Sequence, residues 1–152
     1  MIRMKNYVYR SFYTPDNIVY IIKMQIKIMK PKILCACANG VTRSKYLAKY
    51  LKGKGYKAKF GGSAEFAENP VTQEMIDWAD IIITLRNKHK DNLLRRFNTA
   101  DKQIISLEVS QHPEEYIKAP NHIDHKSDEF IKKYVHPEIR KQIKKYLPLE
   151  AN

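Results

Sequence analysis

From Pro31 onward the chain switches repeatedly between two hydrophobic periods. Short apolar runs, "KILCA", "YKAKF", "DIIITL" and "KQIISLEV", have the length and branching of strands. Between them lie segments with apolar positions three and four apart. "SKYLAKYLKGKG" places Tyr46, Leu47, Tyr50 and Leu51 on one helical face and ends on a glycine stop. "VTQEMIDWA" offers Thr72 as an N-cap, with Met75, Ile76 and Ala79 on one side. "RNKHKDNLLRRF" turns Leu93, Leu94 and Phe97 inward. "HPEIRKQIKKYL" closes the chain as a helix, with Pro137 near N1 and a stripe of Ile139, Ile143 and Leu147. Strands alternating with helices predict an α/β domain: a parallel sheet covered on both faces, hence three layers.

Residues 1–30 read as an N-terminal extension, strand-forming or flexible, ahead of one domain over residues 31–152. Lys23, Gln25 and Lys27 alternate with Met24, Ile26 and Ile28, a strand-like period, and "TPDN" at Thr14–Asn17 could turn a hairpin. The 152 residues suffice for one hydrophobic core. The sequence has no run of about 18 apolar residues, so no membrane span is expected, and its start lacks the apolar core of a secretory leader. Two cysteines spaced C-A-C build no disulfide framework and suit a reducing, cytoplasmic setting.

The formal net charge of +12 is uneven. Residues 31–60 hold eight Lys or Arg and no acid, whereas residues 101–152 balance nine against nine. The positive field therefore centres on the extension and on the first strand–helix unit, and it favours anionic partners. No nucleic-acid-binding motif accompanies it. His112, His122, His125 and His136 match no compact metal-ligand spacing.

Within that basic unit stands "ILCACANGVTRS", Ile33–Ser44, a strand that passes through a turn into a helix. From Cys37 it spells C-x5-R-S. A strand-to-helix turn gathers backbone N–H groups toward one point, a cradle for a phosphoryl group formed here by Ala38, Asn39, Gly40, Val41, Thr42 and Arg43. Gly40 permits a left-handed backbone in mid-turn. Arg43 offers a two-pronged fork to phosphate oxygens. Cys37 at the base is favoured as thiolate, and Ser44 can donate a hydroxyl hydrogen bond to it. The chemistry this suits is attack of Cys37 on phosphorus, followed by hydrolysis of the cysteinyl-phosphate. Small phosphate esters, aryl phosphates and phosphorylated proteins are the candidate substrates, with Tyr46 or Trp78 as aromatic walls.

This loop resembles that of the low-molecular-weight protein tyrosine phosphatases, most of all their short predicted-phosphatase relatives. "GGSAEF", "VTQEMIDWADIIITLRNKHKDNL" and the Pro137–Glu138 pair extend the resemblance over roughly residues 31–149. It implies a four-stranded parallel sheet flanked by helices, and protein tyrosine phosphatase activity without a cofactor or metal. It makes Cys37 the nucleophile, Arg43 the phosphate clamp and Ser44 the thiolate's partner. Asn39–Gly40 reverses the family's frequent order, and Thr42 stands where many members carry a second loop cysteine. The family's general acid is an aspartate after the last strand; "SDEF" before "HPEI" makes Asp128 the preferred match, with Asp124 and Glu114 as alternatives.

Three other functions stay open on the sequence. C-x-x-G-x-x-x-S also resembles the cysteine-phosphorylated IIB carriers of sugar phosphotransferase systems, whose loops generally lack the arginine. Arsenate reduction needs a thiol relay that two cysteines do not complete. A non-catalytic phosphate-binding module would use the same cradle without turnover.

Overall fold

The computed structural model describes residues 14–120 and 122–151. The chain divides between Lys30 and Pro31 into two units, taken here one at a time. The described part of the first is a helix, α1 (Pro15–Ile28), where the alternation of residues 23–28 predicts a strand. Its N-terminal signals decide the matter. Thr14 caps the helix by accepting from Asn17 N–H at 3.3 Å, Pro15 opens the first turn and Asp16 complements its positive end. The "TPDN" segment is thus a helix start and not a hairpin turn.

The second unit carries four parallel strands, β1 (Lys32–Cys37), β2 (Lys57–Gly62), β3 (Ile81–Thr84) and β4 (Gln103–Ser106), in the order β2-β1-β3-β4. The helices α2 (Arg43–Gly53), α3 (Gln73–Trp78) and α4 (Asn87–Arg96) connect them in turn. After β4 the chain runs through a short 3-10 turn at Pro113–Glu115. It then enters α5 (Asp128–Phe130), a π-turn at Ile131–Val135 and α6 (His136–Ile143). The α/β layering and the parallel sheet agree with the sequence reading.

The central strands β1 and β3 are buried on both faces, so they are apolar nearly throughout, whereas in the edge strand β2 exposed Lys57 and Lys59 alternate with buried Ala58. Ile33, Cys35, Ile81 and Ile83 point to one face, where they pack with Leu47 and Leu51 of α2 and with Ile139 and Ile143 of α6. Leu34, Ala36 and Ile82 point to the other, against Ile76 of α3 and Leu93 of α4. Each buried Leu or Ile contributes about 1.5–3 kcal/mol. One position departs from expectation: Leu94 is 47 % exposed, because the stripe facing the sheet from α4 is centred on His89 and Leu93.

This arrangement fixes the site. From β1 the chain moves one way to β2 by α2, then returns across to β3 on the opposite side of β1. The carboxyl end of β1 is therefore the point where the winding reverses, the crevice in which open α/β sheets bind ligands. Cys37 is the last residue of β1.

Candidate active site

The loop from Cys37 to Ser44 is clasped by the segment that follows β2. Ser63 N–H donates to Cys37 O at 2.7 Å, Ala64 N–H to Ala38 O at 3.2 Å and Asn69 N–H to Asn39 O at 3.1 Å. The Asn69 side-chain amide donates to Gly40 O at 3.1 Å and to Phe60 O at 3.2 Å, tying loop to strand. Asn39 returns the contact by accepting from Glu68 N–H at 3.3 Å. Gly40 sits at φ +74°, and a Cβ there would lie 2.3 Å from Gly62 N and 2.5 Å from Asn69 O. Only glycine fits, on both conformational and steric grounds.

Within this frame the Cys37 sulfur is 3.1 Å from Ser44 Oγ and accepts from Gly40 N–H at 3.3 Å. Burial alone would raise the thiol's pKa. The Ser44 hydroxyl and amide, the Arg43 charge and the Gly40 amide outweigh burial and bring it below its ordinary value. Cys35, two residues back and wholly buried in the core, is pushed the other way, first by burial and then by the charge of Cys37. Both cysteines are free thiols.

Arg43 is the first residue of α2 and is buried to 8 % exposure. One guanidinium nitrogen donates to Val109 O at 2.7 Å, which anchors the side chain to the segment beyond β4. Its Nε is buried and has no hydrogen-bond partner among the described residues. Thr42, ahead of it, makes no side-chain cap, so no side chain of that residue occupies the amides of the helix start. Behind the arginine lies His89, also buried, with neither ring nitrogen partnered among the described residues. Burial, then the charges of Arg43, Lys88 and Arg86, push its pKa down to about 3, so the ring is neutral near pH 7.

Above the loop opens a cavity of about 440 Å³ lined by Cys37, Ala38, Asn39, Val41, Thr42 and Arg43. Its far wall comes from Glu68, Lys88, Gln111, His112, His125, Lys126 and Ile131. Among the described residues no Phe, Tyr or Trp lines it. Tyr46 instead stacks on His136 at 3.6 Å between ring centroids and accepts from Arg140 at 2.6 Å. Trp78 packs against the core under Lys32 and Lys59. Neither aromatic walls the pocket, because Tyr46 follows α2 toward α6 and Trp78 ends α3 on the opposite face of the sheet.

The sequence-predicted acids are placed as follows. Asp128 opens α5 behind its cap Ser127; its carboxylate lies 3.6 Å from Lys132 and does not line the cavity. Asp124 accepts from Lys126 N–H at 2.9 Å and stands 3.8 Å from His125, beside two lining residues without lining the cavity itself. Glu114 is 3.8 Å from His112 and likewise outside. Among the described residues Glu68 is the one acidic residue that lines the cavity. Sequence reasoning passed over it. Its signal was the Gly61–Gly62 pair, which marks where the chain must press close to the phosphate-type loop.

No family model matches the chain, and no curated protein matches it in sequence. Among solved structures, the arginine phosphatase YwlE from Geobacillus stearothermophilus is similar at 18 % identity. That match covers 80 % of this chain and 99 % of that one, with a TM-score of 0.45. A low molecular weight protein tyrosine phosphatase from Bacillus subtilis is similar at 15 % identity, over 76 % and 96 % of the two chains, with a TM-score of 0.48. A YwlE mutant from Bacillus subtilis is similar at 16 % identity, over 74 % and 98 %, with a TM-score of 0.42. At these identities and TM-scores the functional reading rests on the geometry of the loop alone.

Proposed function

We propose that this protein is a cysteine-dependent phosphomonoesterase. The observation that carries the reading is the grouping at the β1–α2 turn. A thiol hydrogen-bonded by Ser44 and Gly40 shares a cavity with an anchored arginine whose buried Nε has no acceptor among the described residues. A phosphoryl group in the loop would give that Nε its acceptor and meet the amides at the start of α2.

The reaction then runs in two steps. The Cys37 thiolate attacks phosphorus, the P–O ester bond breaks, and the leaving oxygen takes a proton from an acid at the cavity wall. Glu68 is our preferred group for that transfer, ahead of Asp124, Asp128 and Glu114, because it is the acidic residue that lines the cavity. Water next attacks the cysteinyl-phosphate and gives its proton to the same carboxylate. The P–S bond breaks and the electron pair returns to sulfur, where the Ser44 hydroxyl stabilises the departing thiolate.

A protein tyrosine phosphatase is the activity suggested by the resemblance of the loop. A screen of phosphotyrosine, phosphoserine and nucleotide substrates against the wild type and Cys37→Ser tests both levels. Hydrolysis by the wild type alone, fastest on phosphotyrosine, supports the tyrosine-specific reading. Hydrolysis without preference for phosphotyrosine retains the phosphomonoesterase and removes the tyrosine phosphatase.

A further inference from the structure

The wall of the cavity facing Cys37 is unlike a slot for an aromatic ring. Lys88 enters it from the first turn of α4, and His112, His125 and Lys126 enter it from the segment between β4 and α5. The His112 and His125 rings stand 6.4 Å apart, which keeps the two stretches of that segment on one rim. Among the described residues neither Lys88 nor Lys126 forms an ion pair. Lys88, Lys126 and Arg43 thus face a single carboxylate, Glu68. One phosphoryl group satisfies the loop and Arg43, and the two ammonium groups, neither of them ion-paired among the described residues, still outnumber the one carboxylate that lines the cavity with them.

The larger cavity, of about 920 Å³, is closer to balance. Arg86, Lys118, Lys133 and Lys141 line it together with Glu108, Glu115 and Glu138, and its Arg86 is already engaged, 3.5 Å from Glu108 and 3.2 Å from Glu115. The larger excess of positive charge over carboxylate belongs to the cavity that holds the thiol.

Taking the phosphomonoesterase reading as its basis, we infer that the substrate is a small phosphomonoester bearing a second anionic group, a carboxylate or another phosphate, which Lys88 and Lys126 receive. A cavity of about 440 Å³ lies at the small end of ligand pockets, which run from about 300 to 1,000 Å³. It accommodates a metabolite-sized ester. Opposite charges across such a rim also steer association.

The test uses two esters matched in shape, 3-carboxyphenyl phosphate and 3-carbamoylphenyl phosphate; the carbamoyl group withdraws electrons more strongly, so leaving-group electronics alone would favour the uncharged ester. The wild type should favour the carboxylate by about tenfold in kcat/KM, the order expected of charge-assisted contacts at a partly exposed site. In Lys88→Ala/Lys126→Ala that ratio should fall toward one. A ratio near one in the wild type, or a preference that survives in the double variant, overturns the inference. So does much faster turnover of an acidic phosphotyrosine peptide than of either ester, which would assign the charge to a protein substrate. Calorimetric binding of the same two esters to Cys37→Ser keeps the pocket testable apart from the chemistry. If the wild type hydrolyses neither ester, the phosphatase reading fails; tighter binding of the carboxylate would still uphold the second-anion site, and equal binding would refute it.

Discussion

Ser44 Oγ lies 3.1 Å from Cys37 Sγ, although seven residues and a complete turn separate them along the chain. The contact exists because Cys37 ends β1 while Ser44 sits in the first turn of α2, and the loop between them turns at Gly40. It stabilises sulfur as thiolate in both roles proposed for it, nucleophile and leaving group.

Removing that hydroxyl should therefore leave two marks. In Ser44→Ala the pH midpoint for alkylation of Cys37 by iodoacetamide should rise, since one cause of the lowered thiol pKa is gone. The kcat should fall by about 10-fold to 100-fold, with breakdown of the phosphoenzyme slowed most. An unchanged alkylation midpoint would show that Ser44 does not act on the thiol.

The acid is assigned by leaving-group dependence. Glu68→Gln should cost about 10²–10⁴-fold on an ester with a poor, high-pKa leaving group. The loss should be far smaller on one that departs readily as an anion. Asp128→Asn should stay near wild type on both, because its carboxylate lies against Lys132 outside the cavity. The reverse pattern, or the loss appearing in Asp124→Asn or Glu114→Gln, would move the role to that residue.

How much of this was legible in the sequence depended on the reach of the forces involved. The four strands and the helices α2, α3, α4 and α6 follow from local periodicity, and so does the position of C-x5-R-S between β1 and α2; α5 and the π-turn after it do not. The fold of residues 23–28 did not, because six alternating residues suit either period, and the deciding signals, Thr14 and Pro15, lie eight or more residues upstream. The cavity wall was illegible for a different reason. Lys88, His112 and Lys126 come from separate segments that meet only through sheet order β2-β1-β3-β4. His112 and His125, whose spacing matches no compact metal site, share the cavity rim. Leu94 and Leu93 are indistinguishable by residue type, and only the orientation of α4 tells the buried one from the exposed one.

His89 gives the fold a signature in acid. Its pKa is about 3 in the folded protein against 6.5 ordinarily, so between those values the unfolded chain binds the extra proton. Stability from the neutral ring is fully present above about pH 6.5 and is lost as pH falls toward 3, with a slope of up to ~1.4 kcal/mol per pH unit. Urea unfolding midpoints measured from pH 7 to pH 4 should fall more steeply for the wild type than for His89→Leu. Parallel profiles would mean that the histidine is protonated in the folded state.

The central claim is that phosphate passes through Cys37. Acid quenching during turnover of an aryl phosphate, followed by peptide mass spectrometry, should find one phosphoryl group on the peptide containing Cys37, at the first cysteine-bearing turn of the sheet. The adduct should be absent in Cys37→Ser, which should also be inactive, and it should vanish from the wild type once substrate is consumed. Full activity in Cys37→Ser would contradict the account outright. A phosphocysteine that outlasts the substrate and leaves only when a partner accepts it would replace the hydrolase with a carrier.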